Sequence, residues 1–562
     1  MKKLKYITGL LCLLAGVACT KDFDEINTDN QGFNSDEVSA KYFLTSSQVG
    51  LYAPGRFEYW RAHLIHVDRF AGHFTFGMDQ SWWSDGLSYT YDPGYTDAAY
   101  DWLAGYFGNI KSFYDLTKEG GEFENEYMFA ISLIMKGLYF QMYTDTFGMV
   151  PYSEAGVDGV LTPKYDTQMD IYQGIIGDLD NAMSIIGDVE RTGIGVDDVA
   201  ENDVYCGGDL QLWKKLANTL KLRIGMRALG APGENFAAST ITEAMSQPLL
   251  DESTGSVTMR KDFVISEWTS SSYGDVWNDF GAGSDWTVSQ PLIDMLQENN
   301  DPRLAIYAKP AKGGTFSFVN TKENGTYTDP DYAKRVDFIE SALIDAGATY
   351  TRTSDADTIF IEVGGGQYIG QPVRLNAEIM PYVRYDLFST PSDAIIQPRG
   401  KEATGYPEII ISSAESYFLQ AEAAVRGIGS GDPQTLLTLG IKEAMKLWDI
   451  AEGDADAYIA SSALADISAG TTDEKLEKIA LQRWLASYTD GFEAWAVVRK
   501  TGYPSELAAG VSDQVIYALG TLNGAYPQRM RYGTGAQSNP NLSQAISVQG
   551  PDVQGTKLWW AK

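Results

Sequence analysis

The chain has 562 residues, 44% hydrophobic and 12% aromatic, with a formal net charge of −32. That hydrophobic content excludes a disordered chain, and the length calls for one large or two intimate domains. A surface this negative repels nucleic-acid phosphates and anionic headgroups, so nucleic acid is excluded as a partner and membrane attachment is left to a covalent anchor or another protein.

The first residues include Lys2, Lys3 and Lys5, followed by an apolar run from Tyr6 to Ala18 that reaches Cys19 through small residues. Residues 1–18 read as a secretory leader, their apolar stretch well short of the ~20 residues a spanning helix needs. Ala15-Gly16-Val17-Ala18-Cys19 resembles a lipobox, with Gly16 where leucine is usual; plain cleavage after Ala18 is the alternative. On the lipobox reading Cys19 becomes the acylated N-terminus, and several chains such as palmitate bury enough methylene to make the anchor effectively permanent. The acidic run Lys21 to Glu25 resembles the export signal of some outer-leaflet lipoproteins, and a solvated tether would look the same. Residues 19–34 are then a tether and 35–562 the folded domain, where no stretch is apolar for long enough to span a bilayer.

Past the tether, Tyr59 to Phe70 reads as a helix. Ala99 to Leu116 sets Trp102, Leu103, Tyr106, Ile110 and Phe113 on one helical stripe. Met128 to Tyr143 does the same with Ile131, Ile134, Leu138 and Met142, Thr167 to Ile186 with Ile171, Ile175 and Leu179, and Leu210 to Leu229 with Trp213, Leu216, Leu220 and Ile224. From about Asp251 to Gly405 the pattern breaks at Gly281, Gly283, Pro291, Pro302, Gly364–Gly366, Pro372 and Pro381. This region predicts long loops, short strands and a few short helices, the usual place for binding residues; Gly72 to Tyr95 is similar. Helical spacing returns over Ala414–Val425, Ile441–Trp448 and Leu476–Tyr488. Small residues such as Ala130, Gly137, Ala217, Ala421 and Ala424 fall where paired helices would approach closely. The expected fold is mainly α: tetratricopeptide-like stacked helical hairpins with a long loop-rich insertion carrying short strands.

Marked catalytic chemistry is sparse. With Cys12 in the leader and Cys19 at its end, Cys206 is the one ordinary thiol, and it reads as a buried or loop residue. His63, His66 and His73, even with Asp79, show no His-Glu-x-x-His pattern and read as structural. Gly364-Gly365-Gly366 lacks the Gly-Lys-Ser/Thr of a phosphate loop, and no Gly-x-Ser-x-Gly turn occurs. No metal, cofactor or catalytic residue is assigned, although the many carboxylates leave a surface glycoside hydrolase open as an alternative, and a structural or adhesive protein as another.

Several blocks carry a family resemblance. Tyr143-Thr144-Asp145-Thr146-Phe147-Gly148-Met149-Val150-Pro151-Tyr152-Ser153-Glu154-Ala155 resembles the Tyr-x-Asp-x-Phe/Tyr-Gly-x-x-Pro-Tyr-x-Glu-Ala segment of SusD/RagB-type outer-membrane lipoproteins. Trp213 to Arg223, Asn300 to Leu304, Glu415 to Ala424, Gln482 to Ala486, Asp490 to Trp495, Arg499 to Pro504, Pro527 to Tyr532 and Lys557 to Trp560 match further family blocks in order, the later ones closest to the SusD-like branch. In physical terms Trp484, Trp495, Trp559 and Trp560 are scaffold anchors, and Arg499, Arg529 and Arg531 seek carboxylates or carbonyls. The resemblance implies a scaffold of four tetratricopeptide-like units and a nutrient-binding lipoprotein at the outer membrane, facing the cell exterior. It further implies that the protein serves a SusC-like TonB-dependent transporter as its lid and binds oligosaccharides, peptides or another nutrient without catalysis.

Sugar platforms combine aromatic faces with hydrogen-bonding groups. Two stretches offer both outside helical stripes: Trp82, Trp83, Asp85, Tyr89 and Tyr91, and Trp268, Tyr273, Trp277, Asn278 and Trp286. These are the candidate ligand-binding residues.

Overall fold

The computed structural model describes residues 39–76, 93–259, 273–279, 286–396 and 407–562. The leader, Cys19 and the tether lie outside the described residues. Helix α1 (Lys41–Tyr52) leads into a helical stretch whose middle, Tyr59–Val67, has π spacing and is almost wholly buried. His63 stacks on Tyr59 with ring centroids 4.5 Å apart, and His66 pairs with the carbonyl of Arg61 at 2.5 Å. Strand β1 (Phe74–Phe76) follows.

The scaffold begins with α2 (Pro93–Thr117), α3 (Glu126–Phe147), α4 (Gln168–Ile186), α5 (Leu210–Ala228) and α6 (Ala237–Met245). Each predicted helix in this half is present, and side-chain caps fix where α3, α4 and α5 begin. Asn125 accepts from the amides of Tyr127 and Met128 at 3.0 Å, Thr167 from Asp170 at 3.2 Å, and Asp209 from Gln211 at 2.9 Å. Nearly every side chain of α3 from Met128 onward is buried, so this helix is apolar all round and runs through the interior. A Cβ at Gly137 would stand 3.2 Å from Ile175 and 3.4 Å from Leu220, which marks the close approach of α3, α4 and α5.

The insertion carries more regular structure than its breakers suggest. After β2 (Val257–Met259) come α7 (Tyr273–Asp279), β3 (Trp286–Val288), α8 (Gln290–Glu298), β4 (Ala308–Lys309) and β5 (Gly314–Val319). Then follow α9 (Tyr332–Asp345), β6 (Tyr350–Asp355), β7 (Thr358–Val363) and β8 (Thr390–Pro391). Strands β5, β7 and β6 form an antiparallel sheet in that order, with Phe318 opposite Ile359. Alternate residues Ile359, Ile361 and Val363 turn inward onto Val336, Ile339 and Leu343 of α9. These residues form an apolar cluster of their own, separate from the main core, so the stretch from Ala311 to Phe388 is a small α/β unit, while α7, β3 and α8 of the insertion pack into the main core. One ladder, β1 with β3 (Phe76 opposite Trp286), ties the insertion back to the helical body, and another, β4 with β8 (Lys309 opposite Thr390), closes the base of the α/β unit within it.

Strand β9 (Glu408–Ile411) pairs with β2 and returns the chain to helices α10 (Ser413–Val425), α11 (Pro433–Lys446), α12 (Thr472–Ala486) and α13 (Gly491–Thr501). α11 starts earlier than its apolar stripe, because Asp432 caps it and Pro433 sits in its first turn. Thr471 and Glu474 close a capping box on α12. The indole N–H groups of Trp484, Trp495 and Trp559 donate to the carbonyls of Ala71, Pro527 and Pro232.

Where the two helical halves meet, a buried ion network joins them. Arg223 donates to both oxygens of Glu415, at 2.8 and 2.5 Å, and to Gln141 at 3.1 Å. Arg227 clamps Asp145 and Glu493. Arg483 reaches Glu493 at 3.0 Å and Glu422 at 3.4 Å. Tyr172 donates to Asp145 at 2.5 Å. Arg499 donates to the carbonyl of Asp145 at 2.7 Å and lies 3.5 Å from the ring centre of Trp495. Burial would push the Glu493 carboxyl up, but Arg227, Arg223 and Arg483 outweigh it and hold it down at about 2. Burial pulls Arg499 down to about 9 against the pull of Asp145.

Glu493→Gln leaves three guanidinium groups short of a buried counter-charge, and should cost about 3–5 kcal/mol in urea unfolding. Asp490 behaves oppositely: burial, then Glu493, push its carboxyl up to about 7 against Arg223. Its folded-state value lies above the ordinary one, so the unfolded chain releases this proton first and the protein loses stability as pH rises from about 4 towards 7. Asp490→Asn, which keeps the cap on Glu493 N–H, should therefore gain stability relative to the parent between pH 5 and pH 8, read as the difference in urea midpoints at the two pH values.

Candidate functional site

A cleft of about 390 Å³ opens within the insertion, between Trp277, which packs on the main core, and Phe388 of the separate apolar cluster. It is lined by Trp277, Lys309, Lys312, Tyr385, Asp386 and Thr390, with Pro310 and Phe388 beneath. Its aromatic wall is graded from core to solvent. Trp286 is fully buried and meets Phe74 edge-on at 5.0 Å between ring centres. Trp277, half-buried, stands edge-on against Trp286 at 5.1 Å. Tyr385, also half-buried, lies 6.0 Å from Trp277. Aromatic edge-to-face contacts of this kind fix ring orientation, so the exposed parts of Trp277 and Tyr385 are held by the core behind them.

The polar wall is made by β4 and the turn after it. Lys312 pairs with Asp386 at 3.0 Å and lies over the Tyr385 ring, 5.9 Å from its centre. Lys309 pairs with Asp393 at 2.7 Å. The β4–β8 ladder sets Lys309 opposite Thr390, which brings two distant chain segments onto one rim. Ammonium and carboxylate side by side next to two rings offer donors and acceptors for hydroxyls and apolar faces for CH groups.

The structure sorts the candidate residues. Trp277 lines the cleft. Trp286 and Tyr273 lie in the core rather than on the surface, because β3 is buried on all its residues and the Tyr273 hydroxyl donates to buried Asp68 at 2.9 Å. Burial holds that Asp68 carboxyl well above the usual range, with Tyr273 opposing. Asn278 belongs to α7, its side chain lying outside the described residues. Trp82, Trp83, Asp85, Tyr89, Tyr91 and Trp268 also lie outside them. Sequence reasoning missed Tyr385, Lys309, Lys312 and Asp386. Tyr382-Val383-Arg384-Tyr385 did show aromatics among breakers, but only the β4–β8 pairing makes them neighbours of Trp277. His73 is packed on Trp484, and burial pushes its ring down to about 3, so it stays neutral. Cys206 is buried, which pushes its thiol well up and keeps it unreactive.

Among family models, one described as SusD-like, starch-binding and associating with the outer membrane, matches residues 36–533. No curated protein matches the chain. Solved structures with the same fold include a chitin-binding protein, 23% identical with a TM-score of 0.68, covering 94% of this chain and 100% of that one. A SusD-like protein from Bacteroides thetaiotaomicron is 20% identical with a TM-score of 0.67, covering 93% and 98%. A chitin-binding SusD homologue from Flavobacterium johnsoniae is 20% identical with a TM-score of 0.68, covering 94% and 99%.

The graded wall predicts unequal costs. Trp286→Ala should lose about 3–5 kcal/mol in thermal or urea unfolding, while Trp277→Ala, with one face already in water, should lose under about 1.5 kcal/mol.

Proposed function

The chain belongs to the SusD-like family, and on that premise we propose that it captures oligosaccharides at the cell surface and passes them unaltered to a SusC-like TonB-dependent transporter. The observation that carries this reading is the pairing of rigid, half-exposed Trp277 and Tyr385 with the Lys312–Asp386 pair in one cleft. Pyranose rings present apolar CH faces to such rings and hydroxyls to such ion pairs. Among the described lining residues Asp386 is the single carboxylate, and it is engaged by Lys312, whereas glycoside hydrolysis needs two carboxyl groups about 5–9 Å apart. Binding without turnover is the reading this favours. Trp82, Trp83 and Trp268 are kept in the proposed platform on sequence grounds, as aromatics in polar stretches.

The same reading places acyl chains on Cys19 and the folded domain at the outer face of the outer membrane, tethered through residues 19–34. It accords with the described residues, where no helix is long and apolar enough to cross a membrane.

Calorimetric titration of starch and chitin oligosaccharides, with product analysis alongside, tests the proposal. Saturable binding without products is expected, weakened about two- to tenfold in Trp277→Ala and Tyr385→Ala, in line with ~0.5–1.5 kcal/mol per aromatic contact. Released sugars would replace this reading with a hydrolase. Peptides binding where glycans fail would move the cargo to peptides. Recovery of a large barrel protein with the tagged chain from native membranes tests the transporter partnership.

A further inference from the structure

A second cleft, of about 410 Å³, cuts the same boundary between the two apolar clusters, walled by other elements: α8, α9 and the short helix Ser505–Ala508. Its floor is apolar and aromatic. Phe70, Met295, Leu507 and Tyr526 pack with the main core, Phe338 and Tyr517 with the separate apolar cluster around α9, the last two meeting edge-on at 5.5 Å. Its wall is acidic. Asp294 and Glu298 stand one turn apart on α8, Asp345 ends α9, and Glu506 sits on the short helix. Asp294 Oδ1 is sealed from solvent and accepts no hydrogen bond.

Four carboxyl groups share this cleft with two guanidinium groups. Arg69 and Arg374 also border the cleft, both buried, with Arg374 donating to the carbonyl of Ala525 at 3.0 Å. Gln290 donates to Asp345 at 3.1 Å. The consequence is visible in the carboxyls: burial, then Asp345, Glu298 and Glu506, push Asp294 up to about 7 against Gln290, and burial pushes Glu506 up. A cation entering the cleft would relieve this repulsion. Among the described residues no three such side chains come close enough to hold a metal ion. The carboxylates surround a space rather than converge on a point, which suits an organic cation that fills it.

We propose that this cleft binds an organic ammonium group on an apolar stem, the ammonium against Asp294 and Glu506 and the stem on the Phe338–Tyr517 floor. Rings of this kind attract cations as well as bury methylene groups. Two kinds of nutrient carry such a group: amino sugars with a free amine, and peptides with lysine. The inference stands on other residues than the glycan cleft and does not depend on it.

The test is calorimetry on the purified protein at low salt with hexylamine, hexanol and hexanoate, which share a stem and differ in charge. Hexylamine should bind at least tenfold more tightly than hexanol, and hexanoate not at all. Asp294→Asn and Glu506→Gln should each weaken hexylamine about tenfold, the scale of one charged hydrogen bond, with Trp277→Ala without effect. If either variant melts early, Glu298→Gln at the exposed end of the wall carries the same test. Affinity should fall as pH drops from 8 to 6, because Asp294, which faces Glu298, Asp345 and Glu506 with Arg69 and Arg374 on the same cleft, then takes up a proton. Glucosamine dimer and a lysine tripeptide then separate the two sources. Equal binding of amine and alcohol, indifference to Asp294→Asn, or no binding of hexylamine at millimolar concentration would overturn the proposal.

Discussion

Everything in this fold is organised around a set of charges drawn almost wholly out of water. Asp145 on α3, Arg223 and Arg227 on α5, Glu415 and Glu422 on α10, Arg483 on α12 and Glu493 and Arg499 on α13 are all buried, acids matching bases one for one. Bringing such groups out of water is costly, and their attraction offsets that cost only when every partner is in place. A helix that slid by one residue would strand a charge. Apolar stripes on α3, α5, α10 and α12 would tolerate several registers; the network tolerates one. It joins the helices before the insertion to those after it.

Much of this scaffold was legible in the residues themselves. The stripes from Trp102 to Phe113 and from Ile171 to Leu179 became helices because their apolar spacing had one period, the second with Thr167 as a clear cap. The network was not legible, since periodicity cannot say that Arg223 and Glu415, far apart in the chain, share an oxygen-to-nitrogen contact. The insertion hid α9 and its sheet for another reason. Val336, Ile339 and Leu343 do have helical spacing, and Ile359, Ile361 and Val363 alternate, but each run is short and flanked by Gly, Asp and Thr.

The candidate site was half legible. Aromatics without helical period in a polar stretch marked Trp277, Tyr273 and Trp286 alike, although Trp277 forms the wall and the other two the masonry behind it. Composition cannot tell these apart, because the difference is set by β1 pairing with β3. Tyr385, Lys309 and Asp386 required the β4–β8 ladder to become neighbours. What binds is thus decided by long-range pairings, whereas what folds is decided largely by local periodicity and caps.

The division into two apolar clusters has a mechanical consequence. Both clefts are cut along one seam, with residues packed on the main core on one bank and residues of the separate α9 cluster on the other. Their shapes are therefore not independent variables. Any tilt of the α9 unit against the helices redraws the wall behind Lys312 and the floor under Asp294 together, so the insertion acts as a common jaw for two grips set in the same rigid frame.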